Sequence, residues 1–239
     1  MARRPIDLER ALSEHDAYVR LLTTWGLDVI VLGASTDLPD SVFVEDAAIV
    51  LPEVAIVTPL GAASRSAEAE LMARALEEHG LKPVRRLAPE ARLEGGDVLR
   101  LGRHLFVGQG SRTDRAGLDR LAAIVTPFGY SVTPVAVSGC LHLKTGCTAL
   151  RHDTLIINPD WVDTSPFTGL DLLPVDPAEP FAANVLRVNN FLAMPSGFPR
   201  TAERIRSRGF DVDEVDITEF QKAEAGLTCM SVIVPLERA

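Results

Sequence analysis

Five stretches of the chain open on glycine and run directly into an apolar, strand-like pattern: GLDVIVL at residues 26–32, GLKPVRRL at 80–87, GYSVTPVAV at 129–137, GLDLLPVD at 169–176 and GFDVDEVDI at 209–217. They recur at intervals of 40 to 54 residues, the length of a supersecondary repeat. Ahead of most of them apolar residues fall at helical spacing, over 8–25, 67–79, 114–125 and 202–208, whereas the fourth module's helix is weak or absent. After each comes a turn and a second short strand: FVEDAAIV, LEGGDVLR, LHLKTGCTAL, FAANVLRV and GLTCMSVIV. A third strand usually follows, as in VAIVTP, HLFVGQG, TLIINP and NFLAMPSG.

A helix with one apolar face and a short strand-rich unit cannot bury themselves alone, so five such modules are predicted to pack around a common axis, strands inside and helices outside. The predicted fold is α/β: a closed five-bladed ring forming one domain over residues 1–239. The fifth module, however, stops at Val-Pro-Leu-Glu-Arg-Ala after a single strand, while the chain begins directly with the first helix. The ring is therefore expected to lack an N-terminal strand. That leaves the edge of GLTCMSVIV unpaired, which predicts pairing with a second copy, as a homodimer, or poor solubility.

The 239 residues are 46% hydrophobic, enough for a substantial core. No apolar run approaches the ~20 residues of a membrane span, and Met-Ala-Arg-Arg-Pro lacks the apolar stretch of a signal peptide. A soluble, cytoplasmic protein is expected. Three cysteines are an odd number in a chain too large to need staples, which points to free thiols in a reducing compartment. A net charge of −9 argues against nucleic acid or an anionic membrane as partner and favours attraction of a small cationic molecule.

In a ring, equivalent positions of each module converge on the axis. The starts of the second strands hold Glu45 and Asp46, then Glu94, His142, Asn184 by approximate register, and Cys229. Taken singly these are ordinary residues. Cys229 reads as a small buried hydrophobe, His142 as a hydrogen-bonded core imidazole, and Glu94 as a turn acid. Three carboxylates, an imidazole and a thiol at related repeat positions, where most neighbours are Val, Leu or Ala, instead suggest one assembled site with Cys229 as nucleophile and His142 as acid and base. Two other readings are weaker. Cys140, His142 and Cys147 lack both a recognised zinc spacing and a nearby fourth ligand, and the Gly-Gln-Gly-Ser-Arg-Thr segment lacks the third glycine of a dinucleotide loop. No cofactor and no metal are expected. Similar words at three links to a helix, SRSAE, SRTD and PRTAE, carry Arg65, Arg112 and Arg200.

The stretches DSVFVEDAAIV, LEGGD, GQGSRT, LHLKTG, MPSGFPRT and GLTCMS, in this order and spacing, resemble the dimethylarginine dimethylaminohydrolase family, within the guanidino-group-modifying superfamily. The resemblance covers nearly the whole chain. It implies the pentein fold, a five-bladed propeller of ββαβ modules, in agreement with the repeat. It further implies that Cys229 is the nucleophile, His142 the general acid and base, and Glu94 a supporting carboxylate. Asp40, Glu45 and Asp46 would line the substrate site, Arg65 and Arg112 would hold the substrate's carboxylate, and Ala223 would give a backbone contact where a larger aliphatic residue usually stands. The implied reaction converts dimethylarginine or monomethylarginine to citrulline and an alkylamine through a covalent thiouronium on Cys229. Deimination of free arginine, amidino transfer and non-catalytic binding by the ring are the alternatives.

Overall fold

The computed structural model describes residues 5–33, 37–81, 83–88 and 90–235. Four modules form three-stranded sheets with one shared design: β1 (Ala48–Leu51), β2 (Val54–Val57) and β3 (Val84–Arg86); β4 (Val98–Leu101), β5 (His104–Gln109) and β6 (Ser131–Ala136); β7 (Cys147–Ala149), β8 (Thr154–Ile157) and β9 (Asp171–Pro174); β10 (Leu186–Val188), β11 (Phe191–Pro195) and β12 (Asp213–Val215). In every sheet the first two strands are antiparallel and the third returns parallel to the second. The middle strand thus carries all of the pairing.

Six helices accompany them: α1 (Leu8–Thr24), α2 (Ser66–Glu78), α3 (Arg115–Val125), the single turn α4 (Leu143–Gly146), α5 (Pro199–Ser207) and the single turn α6 (Thr218–Gln221). The helical spacing read from the sequence agrees with α1, α2, α3 and α5 to within a few residues. Two of them start where an aspartate accepts a backbone N–H of the first turn: Asp7 from Arg10 at 3.1 Å, and Asp114 from Gly117 at 2.9 Å. Between β8 and β9 there is only the 3-10 turn Ser165–Phe167, the expected weak helix. Phe167 fills the space, packing against Phe106 with ring centroids 4.8 Å apart.

The packing is distributed over several clusters. One joins β1 and β2 to β4, β5 and α3; a second joins β4 and β5 to β7 and β8; a third joins β8 and β9 to β11 and α5. A fourth places Ala11, Tyr18 and Leu22 of α1 against Leu186, Val215, Leu227 and Met230. Tyr18 is fully buried, which contributes about 2–3 kcal/mol, and its hydroxyl donates to the Leu227 carbonyl at 3.2 Å. In a fifth cluster Val232 packs beside α2 and the first sheet.

Two expected strands are not realised as strands. GLDVIVL, after its opening turn, and residues 231–235 form neither strand nor helix, and Leu227–Met230 form a 3-10 turn. The reason lies in the shared design: in the other sheets both positions bond to a middle strand, and no such strand lies between these two among the described residues. Ile30, Val31, Leu32, Ile233 and Val234 are consequently exposed. Met1 and residues 236–239, on which the expected missing strand was counted, lie outside the described residues. No helix among the described residues is long and apolar enough to cross a membrane.

Candidate active site

The convergent residues sit just ahead of their strands, on single-turn kinks. Glu45 and Asp46 lie within the 3-10 turn Val44–Ala47, and Glu94 directly precedes the turn Gly95–Asp97. His142 directly precedes α4, and Cys229 lies in the turn Leu227–Met230. Glu94 and His142 are thus extended residues followed by one tight turn, whereas Glu45, Asp46 and Cys229 stand within theirs. The paired glycines of LEGGD allow the approach. A Cβ on Gly96 would stand 2.8 Å from Asp46 Oδ1 and 2.9 Å from the His142 ring, closer than real Cβ contacts come.

The centre of the site is a buried carboxylate–imidazole pair. His142 Nε2 and Glu94 Oε2 are 2.6 Å apart, and Glu94 is fully buried. The other oxygen of Glu94 accepts from Gly61 N at 2.8 Å and stands 3.5 Å from Arg112 Nη1. Burial alone would push the Glu94 carboxyl upward, but the hydrogen bond and charge of His142, with Gly61 and Arg112 behind them, hold it below the usual carboxylate value. Burial likewise opposes charge on His142. The hydrogen bond to Glu94 and the charges of Asp46 and Asp97 outweigh it and raise the imidazole above its ordinary 6.5. The protonated form of His142 is thereby favoured.

Asp46 lies on the opposite side of the ring, its Oδ1 3.8 Å from His142 Nδ1. That oxygen is buried and has no hydrogen-bond partner among the described residues, an expensive state for a carboxylate unless a ligand supplies the donor. Its Oδ2 accepts from Arg65 Nη1 at 2.8 Å. Arg65 is only 7% exposed and is also bound by Glu68 and by the carbonyls of Asp40 and Phe43. Burial works against its charge, yet Glu68 and Asp46 more than compensate and raise its pKa. Arg112 is half-buried, so of the two arginines it keeps the greater hydrogen-bonding capacity. Arg200, from the third similar word, is exposed on the surface near Asp176.

Cys229 is half-buried and accepts from Gly226 N at 3.4 Å. Burial, reinforced by the charges of Glu45 and Asp46, pushes its thiol up to about 12, with Gly226 N–H and Lys144 pulling the other way. The neutral thiol is thereby favoured over the thiolate. Burial also raises Glu45, against the pull of Lys144, whose Nζ lies 2.5 Å from Glu45 Oε1. Asp40 is half-buried, its carbonyl facing Arg65 Nη2, and Ala223 is exposed in the turn after α6. The Ala223 N–H donates to the Phe220 carbonyl, which leaves its own carbonyl as the group for a backbone contact.

Several contributors carry no sequence signal of their own. Asp97, buried, accepts from Leu143 N at 2.8 Å and Thr113 Oγ1 at 2.6 Å and so ties the His142 loop to the second module. Lys144, Thr228 and Glu68 act as partners of the acids and of Arg65. All four stand inside stretches quoted above, Glu68 in SRSAE, Asp97 in LEGGD, Lys144 in LHLKTG and Thr228 in GLTCMS, without a role of their own there. Asp46, Glu94 and His142 also form a group whose ligand atoms lie within 4.8 Å of one another, a composition that can hold a metal ion. The short His142–Glu94 bond already uses one donor from each of those two residues.

A family model described as N,N dimethylarginine dimethylhydrolase, eukaryotic, matches residues 3–163. An N(G),N(G)-dimethylarginine dimethylaminohydrolase of Streptomyces coelicolor is 40% identical over 96% of this chain and 88% of its own length. The protein of the same name from Pseudomonas aeruginosa is 35% identical over 95% of this chain and 89% of its own length. A solved structure of the Pseudomonas aeruginosa enzyme, a cysteine-to-serine variant complexed with citrulline, superposes with a TM-score of 0.92 at 34% identity, covering 96% of this chain and 90% of that one. With that fold and that similarity over nearly its whole length, the chain belongs to the dimethylarginine dimethylaminohydrolase family of hydrolases.

Proposed function

We propose that the protein hydrolyses Nω-methylated arginine, dimethylarginine or monomethylarginine, to citrulline and dimethylamine or methylamine. The observation that carries this reading is Asp46 Oδ1, a buried carboxylate oxygen without a donor among the described residues, beside the His142–Glu94 pair. A planar guanidinium offers the missing N–H groups, and Asp46 and Glu94 would orient its carbon toward Cys229 by charge-assisted hydrogen bonds. The substrate cation also offsets the carboxylate charges that hold the thiol neutral, so binding itself favours loss of the Cys229 proton. The thiolate attacks the guanidinium carbon, and protonated His142 gives its proton to the departing amine as the C–N bond breaks. A thiouronium remains on Cys229. Neutral His142 then takes a proton from water, which adds to the same carbon, and cleavage of the C–S bond releases citrulline. No step calls for a cofactor. Arg112, with the charge of Arg65 behind it, would hold the α-carboxylate, Asp40 and Glu45 would line the pocket, and Ala223 would supply a carbonyl contact.

Incubation of the purified protein with dimethylarginine is expected to yield citrulline and dimethylamine in equal amounts. Folded protein that forms none overturns the reading, and ammonia release from free arginine at higher kcat/KM assigns a deiminase instead. The three free cysteines suit a cytoplasmic setting.

We further infer that residues 1–239 form one catalytic domain arranged as a five-bladed ring. Support comes from the clusters, which join successive sheets in order, then α1 and the Cys229 turn, then Val232 back to the first sheet. GLDVIVL and residues 231–235 would be the outer strands of the fifth blade, with an apolar slot between them. Such exposed edges recruit other strands, so light scattering is expected to show dimers at micromolar concentration. A monodisperse monomer contradicts the dimer.

A further inference from the structure

Asn184 is the fourth module's member of the convergent set, and the chemistry above gives it no task. It is 3% exposed and its amide is fully engaged. Nδ2 donates to the Lys144 carbonyl at 2.9 Å and to Thr228 Oγ1 at 3.0 Å, while Oδ1 accepts from Thr228 N at 3.1 Å. One amide therefore joins the loop two residues beyond His142 to the residue immediately before Cys229. The Thr228 hydroxyl, an acceptor from Asn184, donates its own proton to Glu45 Oε2 at 2.7 Å, and Glu45 Oε1 pairs with Lys144. The circuit closes on itself.

The approach is tight. A Cβ on Gly226 would lie 2.2 Å from Asn184 Cγ, so the nucleophile's loop rests its backbone directly on the amide. The need for such a support is visible in the fold: residues 231–235 are unpaired, so no sheet ladder fixes the segment that carries Cys229. Side-chain hydrogen bonds must supply the rigidity that strand pairing gives elsewhere.

We propose that Asn184 is a positioning residue that sets the separation of Cys229 and His142 by holding both of their loops on one rigid amide. This rests on the assignment of Cys229 as nucleophile and His142 as acid and base. Asn184 touches neither reacting atom. Its loss should therefore lower kcat through misplacement and leave substrate binding in place.

The test compares Asn184→Ala, Thr228→Val, their double variant and Thr228→Ser, each checked for folding by circular dichroism and thermal melting. Measurements are kcat and KM for dimethylarginine and the rate of Cys229 alkylation by iodoacetamide. Each single variant is expected to lose about 10- to 100-fold in kcat, the scale of a misplacement near 1 Å, with KM within about threefold. The double variant should fall no more than about threefold below the worse single one, because the two residues act as one unit. Thr228→Ser, which keeps the hydroxyl, should recover most of the loss. Unchanged kcat in folded Asn184→Ala, or losses that multiply independently, overturns the proposal. If Asn184→Ala does not fold, the valine and serine variants decide, and wild-type kcat in Thr228→Val is the overturning result. Should the wild-type protein form no citrulline, the hydrolase reading fails by itself and alkylation decides here. An unchanged rate in Asn184→Ala then overturns the positioning role, and a change of at least about fivefold supports it, since thiol reactivity follows local environment.

Discussion

Cys229→Ser is expected to cut citrulline formation by at least about 10⁴-fold while leaving the protein folded, because the reaction as read here has no other nucleophile. The hydroxyl is a far poorer nucleophile than a thiolate, and Glu94 favours the protonated form of His142, which cannot take the serine proton. Structurally the exchange is small. The serine oxygen can still accept from Gly226 N, so the melting temperature should move by no more than the equivalent of about 0.5 kcal/mol. Binding should survive, since Asp46, Glu94 and Arg112 are untouched, and calorimetric titration with dimethylarginine should give a Kd within a fewfold of the wild-type KM. This variant also separates catalysis from passive binding. Citrulline formation at the wild-type rate would remove Cys229 from the mechanism, and an unchanged biological output with no turnover in either form would mark the ring as a binding protein.

Glu94→Gln is expected to lower kcat about 100-fold at neutral pH and to move its alkaline limb downward, the scale set by loss of effective acid–base catalysis. In the wild type, His142 stands above 6.5 and Glu94 below 4.5. The raised imidazole contributes stability that is complete below pH 6.5 and is lost as pH rises through its elevated pKa. The depressed carboxyl contributes stability that is complete above pH 4.5 and is lost as pH falls through its lowered pKa. Their interaction is therefore strongest between the two values. The glutamine variant lacks the carboxylate whose hydrogen bond is the largest contribution opposing burial of His142, so with only Asp46 and Asp97 left its imidazole is expected to lose its proton at lower pH and to supply one less readily to the leaving amine. Near pH 6 the variant should be about 2 kcal/mol less stable, the worth of a buried hydrogen bond to a charged group, with the deficit shrinking at higher pH. Stability and kcat measured between pH 5 and 9 check both, and an unmoved alkaline limb would show that Glu94 does not control His142.

The repeat made the architecture legible because glycine-led strands and amphipathic helices are local patterns whose period survives in the sequence. It also brought Glu45, Asp46, Glu94, His142 and Cys229 together by register alone, although they are scattered over 185 residues. What it could not show is pairing that depends on a neighbour. GLDVIVL has strand composition, yet its pairing depends on a middle strand, and none lies beside it among the described residues. Partner choice was equally hidden. Arg65 and Arg112 stand in similar words, but only the fold reveals that Arg65 is enclosed by Asp46 and Glu68 while Arg112 is half-buried. Asp97, Lys144 and Thr228 read as ordinary polar residues because their roles consist of contacts with distant loops.

The hydrogen bond between Thr228 and Glu45 links residues 183 positions apart, and that between Tyr18 and Leu227 spans 209. As the chain leaves the ribosome, the first four sheets can form from neighbouring segments in the order of synthesis. Each of these last links instead closes a loop nearly as long as the protein, and the entropy of closure is repaid only when the final segment docks. The segment that carries Cys229 is therefore the last to be made and the one whose docking closes the longest loops. On the proposed mechanism, a chain that stops before residue 229 lacks the thiol and is expected to form no citrulline.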